Sequence, residues 1–344
     1  MRRALACLIL AAAALLPPAA ADAATRKKPG LVPIIVHTEP VERFSRVGDA
    51  TRFGEFEFRG GLILSSPLRT FGGLSGFDLR EDGSRFLAVS DLGAWFSGRL
   101  VRSAGHLVGV AETTWGPMLN AKGRPLTNRR LADAEGLRFA PGGAYVSFEQ
   151  TNDLKFYRFK SDPSLSRAEP VAIPRVVRGM IGNKGLESVA VAPADGPLAG
   201  APVLIAESSL DAAGHHRAWI ARGPAAGAFS IVRSDDYDVT DATFMPNGDL
   251  LLLERRITAL PVAVNIRLRR IAGETIRAGA VVDGKVALEA SMAEQIDNME
   301  ALAVSTDADG RMRVTIASDD NLNSFQRTLL LEFVWLGPTV ATSE

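Results

Sequence analysis

Five stretches of the chain repeat one pattern of apolar and polar positions. In each, an apolar strand begins beside a polar residue, a tight turn such as Asp-Gly or Asn-Gly follows, and a second apolar strand ends on an acid. Further apolar segments after most of these hairpins supply two more strands. The five stretches are 74–91, 134–149, 186–207, 240–254 and 299–319. Four antiparallel strands in each period of about 40–60 residues predict an all-β fold, a β-propeller of four-stranded antiparallel blades.

The number of blades and the closure of the ring follow from the same pattern. Five blades are predicted, and a sixth can be built only from the irregular segments 33–41 and 115–130. The fifth unit runs out of chain after its third strand at 328–335. The N-terminal segment 55–66 is therefore expected to supply its outer strand, which closes the ring and removes an exposed edge.

The N-terminus has the pattern of a secretory signal peptide. Arg2 and Arg3 precede a short apolar run and small residues that suit cleavage. We predict a signal peptide at 1–24, an N-terminal extension at 25–52, the propeller at 53–338 and a short tail at 339–344. This organisation predicts a periplasmic or secreted protein that is soluble and monomeric and has no integral membrane segment.

Composition narrows the possible chemistry. Cys7 is the only cysteine and lies within the signal, so the mature chain is expected to use neither disulfides nor thiolates. The formal net charge is zero, which gives no global attraction to nucleic acid. Any electrostatic function must therefore be local.

The repeat predicts such a local charge. In an antiparallel hairpin the start of the first strand lies beside the end of the second. The leading and terminal residues of each unit should therefore meet at one mouth of the central channel, where nine carboxylates would converge. The predicted pairs are Ser75 with Asp91, Glu135 with Glu149, Glu187 with Glu207, Asp241 with Glu254, and Glu300 with Asp319.

Crowded carboxylates need bound cations, basic neighbours or shared protons. Calcium suits a site whose ligands are all oxygen atoms. A mouth lined by both acidic and basic side chains suits a small anionic, phosphorylated substrate. The metal ligands are predicted to be Glu135, Glu187, Glu300, Asp319 and Asp320. General-base candidates are Glu149, Glu207 and Glu254. Substrate contacts are predicted for Arg130, Lys184, Arg327 and Asn321.

Several motifs resemble the phytase-like family, also called "esterase-like activity of phytase", whose members are mostly exported bacterial proteins. They are "GGLSGFDLREDGSRFLAVSDLGAWF", "DAEGLRF", "NKGLES", "LLLERR", "DNMEAL" and above all "DDNLNSFQRTLLLEF". The resemblance spans about 54–336 and implies a propeller with phosphoester hydrolase activity. Ser75 departs from the pattern, because the other units carry an acid there.

Two alternatives to a metal-dependent phosphoesterase stay open at this point. One is a metal-dependent lactonase or carboxylesterase acting at the same mouth. The other is a non-catalytic periplasmic propeller for ligand binding or assembly, in which the polar ring is structural.

Overall fold

The structure is a computed structural model that describes residues 30–178, 185–260 and 262–338. Its strands, in chain order, are β1 (Val32–Pro33), β2 (His37–Val41), β3 (Arg52–Phe53), β4 (Phe56–Ser65), β5 (Leu74–Leu79), β6 (Arg85–Ser90), β7 (Ala94–Ser103), β8 (His106–Pro117), β9 (Ala134–Ala140), β10 (Gly143–Phe148), β11 (Asp153–Arg158), β12 (Ala168–Pro170), β13 (Leu186–Val191), β14 (Pro202–Leu210), β15 (His216–Ile220), β16 (Gly227–Ile231), β17 (Asp238–Phe244), β18 (Leu250–Ala259), β19 (Val262–Ile271), β20 (Val281–Val282), β21 (Lys285–Ala290), β22 (Met299–Thr306), β23 (Met312–Ser318) and β24 (Thr328–Trp335). Two short helices, α1 (Arg129–Ala132) and α2 (Arg175–Arg178), lie in connections between blades.

The strands form five antiparallel sheets, as the repeat predicts. Blade 1 runs from β5 through β6, β7 and β8 to the edge strand β1, and blade 2 comprises β9 to β12. Blade 3 comprises β13 to β16, with β20 added in parallel, and blade 4 comprises β17, β18, β19 and β21. Blade 5 comprises β22, β23, β24, β4 and β2, with β3 paired to β4. The five innermost strands β5, β9, β13, β17 and β22 contact one another in a closed ring.

The N-terminal strand closes the ring as predicted. β4 pairs with β24 from Leu64 opposite Thr328 to Phe56 opposite Trp335. Phe44, from the segment predicted as an extension, is buried and packs edge-on against Phe333 at 5.0 Å between ring centroids. Closure therefore combines sheet hydrogen bonds with an aromatic cluster in the core.

The described residues form five blades and no sixth, so the alternative of six blades was wrong. Segment 33–41 is divided between β1, at the edge of blade 1, and β2, at the edge of blade 5. Residues 115–117 end β8, and the rest of the segment up to 130 is the connection that leads through α1 into blade 2. Neither segment contains the second strand that a separate hairpin needs. The predicted signal peptide at 1–24 and tail at 339–344 lie outside the described residues.

The described residues contain no helix that is long and apolar enough to span a membrane.

Each innermost strand has a β-bulge near its start. In blade 1, Leu74 pairs with Ser90 and Gly76 pairs with Val89, so Ser75 has no partner of its own. The same shift recurs in the other four blades. The bulged residues are Ser75, Glu135, Glu187, Thr240 and Glu300. Because a bulge re-aims the extra side chain, the bulges decide what the channel mouth presents.

Candidate functional site

Three of the five bulged residues are glutamates, and their environment shows that they meet. The pKa of Glu135 lies well above its usual range because the carboxyl is buried and because Asp133 and Glu300 lie nearby. Burial also raises the pKa of Glu187 well above its usual range, and the negative charges of Glu135 and Glu207 raise it further. Side chains from blades 2, 3 and 5 therefore converge at one end of the channel, as the repeat predicts.

We call this cluster the acidic mouth. It is formed by Asp91, Asp133, Glu135, Glu149, Glu187, Glu207, Glu300 and Asp319. Seven of the nine carboxylates predicted from the repeat belong to it, and Asp133 is an addition. The two that do not belong, Asp241 and Glu254, both come from blade 4.

The sequence of blade 4 aligns with the repeat one residue earlier on its first strand, and one residue later on its second, than was predicted. Its bulge is at Thr240, because Val239 pairs with Glu254 and Asp241 pairs with Leu253. The positions that carry acids at the mouth of other blades are therefore Thr240 and Arg255 in this blade. A shift of one residue along a strand moves a side chain to the other face, so the predicted placement of Asp241 and Glu254 at the mouth was wrong.

Glu254 is instead a structural residue inside blade 4. Its side chain is fully buried and accepts hydrogen bonds from Nε of Arg267 at 2.5 Å and from Nη2 of Arg269 at 2.5 Å. Two guanidinium groups saturate the carboxylate. This removes Glu254 from the candidates for general base.

Asp241 lies below the mouth and closes the channel. Its carboxylate accepts hydrogen bonds from Nη2 of Arg138 at 2.6 Å, from the hydroxyl of Ser188 at 3.0 Å and from the backbone N–H of Leu302 at 2.8 Å. Arg138 also donates to the carbonyl of Phe77 at 3.1 Å. One buried ion pair thus links all five blades, and we call it the central plug. The central plug therefore lies across the channel beneath the acidic mouth.

Arg255 supplies the mouth with a counter-charge that the sequence did not assign. It donates to Glu207 at 3.1 Å and also bonds the carboxylate of Glu300 and the side chain of Asn298. Burial raises the pKa of Glu207 to about 7, although Arg255 acts in the opposite direction. Arg255 therefore compensates the acids of blades 3 and 5, whereas no described arginine or lysine forms an ion pair with the mouth acids of blade 2.

Blade 2 presents the most compact set of ligand atoms. Carboxylate oxygens of Asp133, Glu135 and Glu149 all lie within 4.8 Å of one another. The carboxyls of Glu149 and Glu187 are also hydrogen-bonded to each other, which requires a shared proton when no cation is bound. An all-oxygen set of this density fits a hard divalent cation such as calcium. Asp133 was missed because it precedes the strand, although its spacing of two residues from Glu135 was a usable signal.

Asp319 and Asp91 extend the mouth toward blades 5 and 1. Burial raises the pKa of Asp319 to about 7, with contributions from Glu300 and Asp91. Burial likewise raises the pKa of Asp91 to about 6, and the nearby charge of Asp133 adds to the shift. Within the described ranges, Oδ1 of Asp91 is buried and has no hydrogen-bond partner. Asp91 therefore retains an oxygen that can accept a cation or a ligand.

Asp320 and Asn321 hold the turn after β23. Asp320 accepts the N–H of Gly73 at 2.9 Å and the hydroxyl of Thr328 at 2.9 Å, which ties blade 5 to blade 1. Asn321 adopts a φ of 48° and donates its N–H to Asp319 at 2.6 Å. Their side chains are committed to the turn, so the structure gives the predicted metal and substrate roles no support.

The three predicted basic contacts have different positions. Arg327 donates to Asp297 at 3.3 Å, to Gln295 at 3.1 Å and to the carbonyl of Ile296 at 3.0 Å, so it anchors the loop before β22. Arg130 is exposed on α1. Burial raises the pKa of both Asp91 and Asp133, and the charge of the neighbouring Arg129 acts in the opposite direction on each. Lys184 lies outside the described residues.

Comparison with known proteins supports the family assignment. The family model described as "Phytase-like: Esterase-like activity of phytase" matches residues 69–322. The chain belongs to the phytase-like family. The match spans the acidic mouth from Asp91 to Asp319, so the mouth is part of the family domain. No curated protein matches the chain.

Solved structures resemble the phytase-like chain only distantly. An endo-arabinase from Bacteroides thetaiotaomicron is 11% identical with a TM-score of 0.42, covering 77% of this chain and 95% of its own. A PQQ-bound aldose sugar dehydrogenase from Streptomyces coelicolor is 12% identical with a TM-score of 0.41, covering 88% and 99%. Similarity at this level carries no argument about what the chain does.

Proposed function

We propose that this phytase-like propeller is a divalent-cation-dependent phosphoester hydrolase that acts at the acidic mouth. The observation that carries the proposal is the convergence of carboxylate oxygens from Asp133, Glu135 and Glu149 within 4.8 Å. Three acids held this close repel one another when ionised, and a divalent cation relieves that repulsion. The family match supports the choice of phosphoester chemistry.

The donor set fits the proposed cation. Asp133, Glu135 and Glu149 would hold it, with Glu187 next to Glu149 as a further oxygen donor. Calcium accepts six to eight oxygen ligands with flexible geometry, which suits carboxylates from two blades. When bound, a cation of this kind neutralises phosphate oxygens and lowers the pKa of coordinated water.

The remaining residues of the mouth can position substrate and accept a proton. Arg255 lies across the mouth and offers a guanidinium for an anionic group. Glu207 has a pKa of about 7, which suits a general base near neutral pH, and its bond to Arg255 orients its carboxylate. Because the central plug lies across the channel, substrate enters and product leaves by the same opening.

Hydrolysis of a substrate panel tests the proposal. The full mature chain should release phosphate from phosphomonoesters, or an alcohol and a phosphomonoester from phosphodiesters, lose this activity in EDTA and regain it with Ca²⁺. Glu207→Gln should lower kcat by about a hundredfold or more, as expected for loss of a general base. Glu112→Gln is the matched control, since Glu112 is exposed on β8 and paired with Arg85 and Arg99.

Other outcomes would assign a different function. Cleavage of lactones or carboxylesters, with phosphoesters untouched, would favour the second enzymatic alternative. Cation binding without turnover of any substrate would favour a ligand-binding propeller. We also propose that the chain is exported, since the pattern of residues 1–24 is that of a signal peptide.

A further inference from the structure

The loops around the acidic mouth carry exposed apolar side chains. The connections into the innermost strands and those between second and third strands all lie at the mouth end of the blades. Two tips there are almost fully exposed, Leu260 at 95% on the β18–β19 hairpin and Phe325 at 92% on the β23–β24 loop. Others are exposed by 40% or more, namely Leu131, Val176, Ile257 and Leu322. We call these six residues the apolar rim.

Two of the apolar residues are flanked by exposed arginines. On α1, Leu131 follows Arg130, and on α2, Val176 lies between Arg175 and Arg178. The three arginines are exposed, and none forms an ion pair within residues 30–178, 185–260 and 262–338. The exposed acids of this face, Asp235 and Asp236, are paired with Arg267 and Arg233. Outside the acidic mouth, the exposed charge of this face that has no partner among the described residues is therefore positive.

We propose that the apolar rim and its three arginines dock the mouth face onto an anionic lipid bilayer. Arginines interleaved with exposed Leu, Val and Phe are the composition of interfacial binding elements. Guanidinium groups that form no ion pair within the protein can pair with anionic headgroups. The side chains of Leu260 and Phe325 would reach the boundary between the headgroups and the acyl chains. The tips belong to separate loops on blades 4 and 5, so the surface suits a broad, flat partner better than a peptide.

Binding to lipid vesicles tests the docking surface. The full mature chain is mixed with vesicles of phosphatidylcholine alone or with added phosphatidylglycerol and followed by flotation. We expect binding to the anionic vesicles that weakens with salt, because exposed charges are screened. Replacing Arg130, Arg175 or Arg178 by Gln should weaken the partition constant about fivefold for each arginine.

The apolar contribution is tested separately. The double change Leu260→Ser and Phe325→Ser should lower binding by about tenfold or more. Val108→Ser and Arg277→Gln are matched controls, since both residues are exposed at the opposite end of the blades. Thermal melting of each variant verifies that the fold is intact, which is expected because all these side chains are exposed.

Several results would overturn the proposal. Failure of the wild-type chain to float with anionic vesicles would do so, as would equal losses in rim and control variants. Self-association through the rim, detected by sedimentation without vesicle binding, would assign the face to a second copy instead. The docking does not depend on the proposed hydrolysis: Glu207→Gln should bind vesicles like the wild type, so the two proposals fail independently.

Discussion

Arg255 is the residue that most changes the electrostatics of the acidic mouth. It donates to Glu207 and Glu300 and is itself mostly buried, so its removal leaves two carboxylates beside other acids. We expect Arg255→Met to lower the free energy of unfolding of the cation-free protein by about 2 kcal/mol. This loss is smaller than that for breaking a fully buried ion pair, because the mouth is partly open to solvent. Urea unfolding in EDTA measures this.

The control for Arg255 is an exposed ion pair. Arg158 pairs with Glu169, and both side chains are more than half exposed. Arg158→Met should cost less than about 1 kcal/mol, because solvent screens such pairs. Equal costs at both positions would show that Arg255 does not compensate a buried cluster.

The closing strand β4 fits closely against blade 1 at a glycine. Gly60 has a φ of 101°, and a Cβ there would lie 2.7 Å from the carbonyl oxygen of Leu107. Gly60→Ala should therefore cost about 2–4 kcal/mol, combining left-handed strain with a backbone clash. Thermal unfolding of the variant gives the value.

Gly48 provides the matched comparison for this element. Its φ of 79° is also left-handed, but a Cβ there meets nothing within 4 Å. Gly48→Ala should cost only the conformational strain, about 1–2 kcal/mol. A Gly60→Ala variant no less stable than Gly48→Ala would argue against the tight contact between blades 5 and 1.

The elements also show what the sequence could predict. Alternating apolar positions and Gly-containing turns were sufficient for five blades and for β4 as the closing strand. The bulges were not visible, because one extra residue leaves the apolar run intact. Blade 4 was therefore misaligned with the repeat by one residue, so that Asp241 and Glu254 were predicted at the positions that Thr240 and Arg255 occupy. In the loop after Asp319, composition alone could not separate ligands from the turn-forming Asp320 and Asn321.

The central plug is the feature that holds the whole molecule together. Arg138 and Asp241 are buried and contact all five blades. Arg138→Met would leave the carboxyl of Asp241 buried without its ion-pair partner, at a cost of about 3–5 kcal/mol. Chemical denaturation should show this loss. A loss below about 1 kcal/mol would mean that the blades do not rely on the pair.

The stability of the whole chain should depend on pH in an unusual direction. Burial raises the pKa of Glu207 and of Asp319 to about 7 and that of Asp91 to about 6. The folded state then binds more protons than the unfolded state between about pH 4 and pH 7. Stability of the cation-free protein should therefore fall as pH rises through this window. Melting temperatures in EDTA measure the slope, and saturating Ca²⁺ should abolish or reverse it.

Calcium titration calorimetry on the chelator-treated, desalted chain tests the central claim most directly. We predict saturable binding at neutral pH, with proton release seen as a dependence of the heat on the buffer, since carboxyls of raised pKa must ionise. Glu135→Gln should weaken binding strongly, whereas Glu112→Gln should not. An absence of binding heat and of any calcium effect on melting would contradict the assignment of the acidic mouth as a cation site.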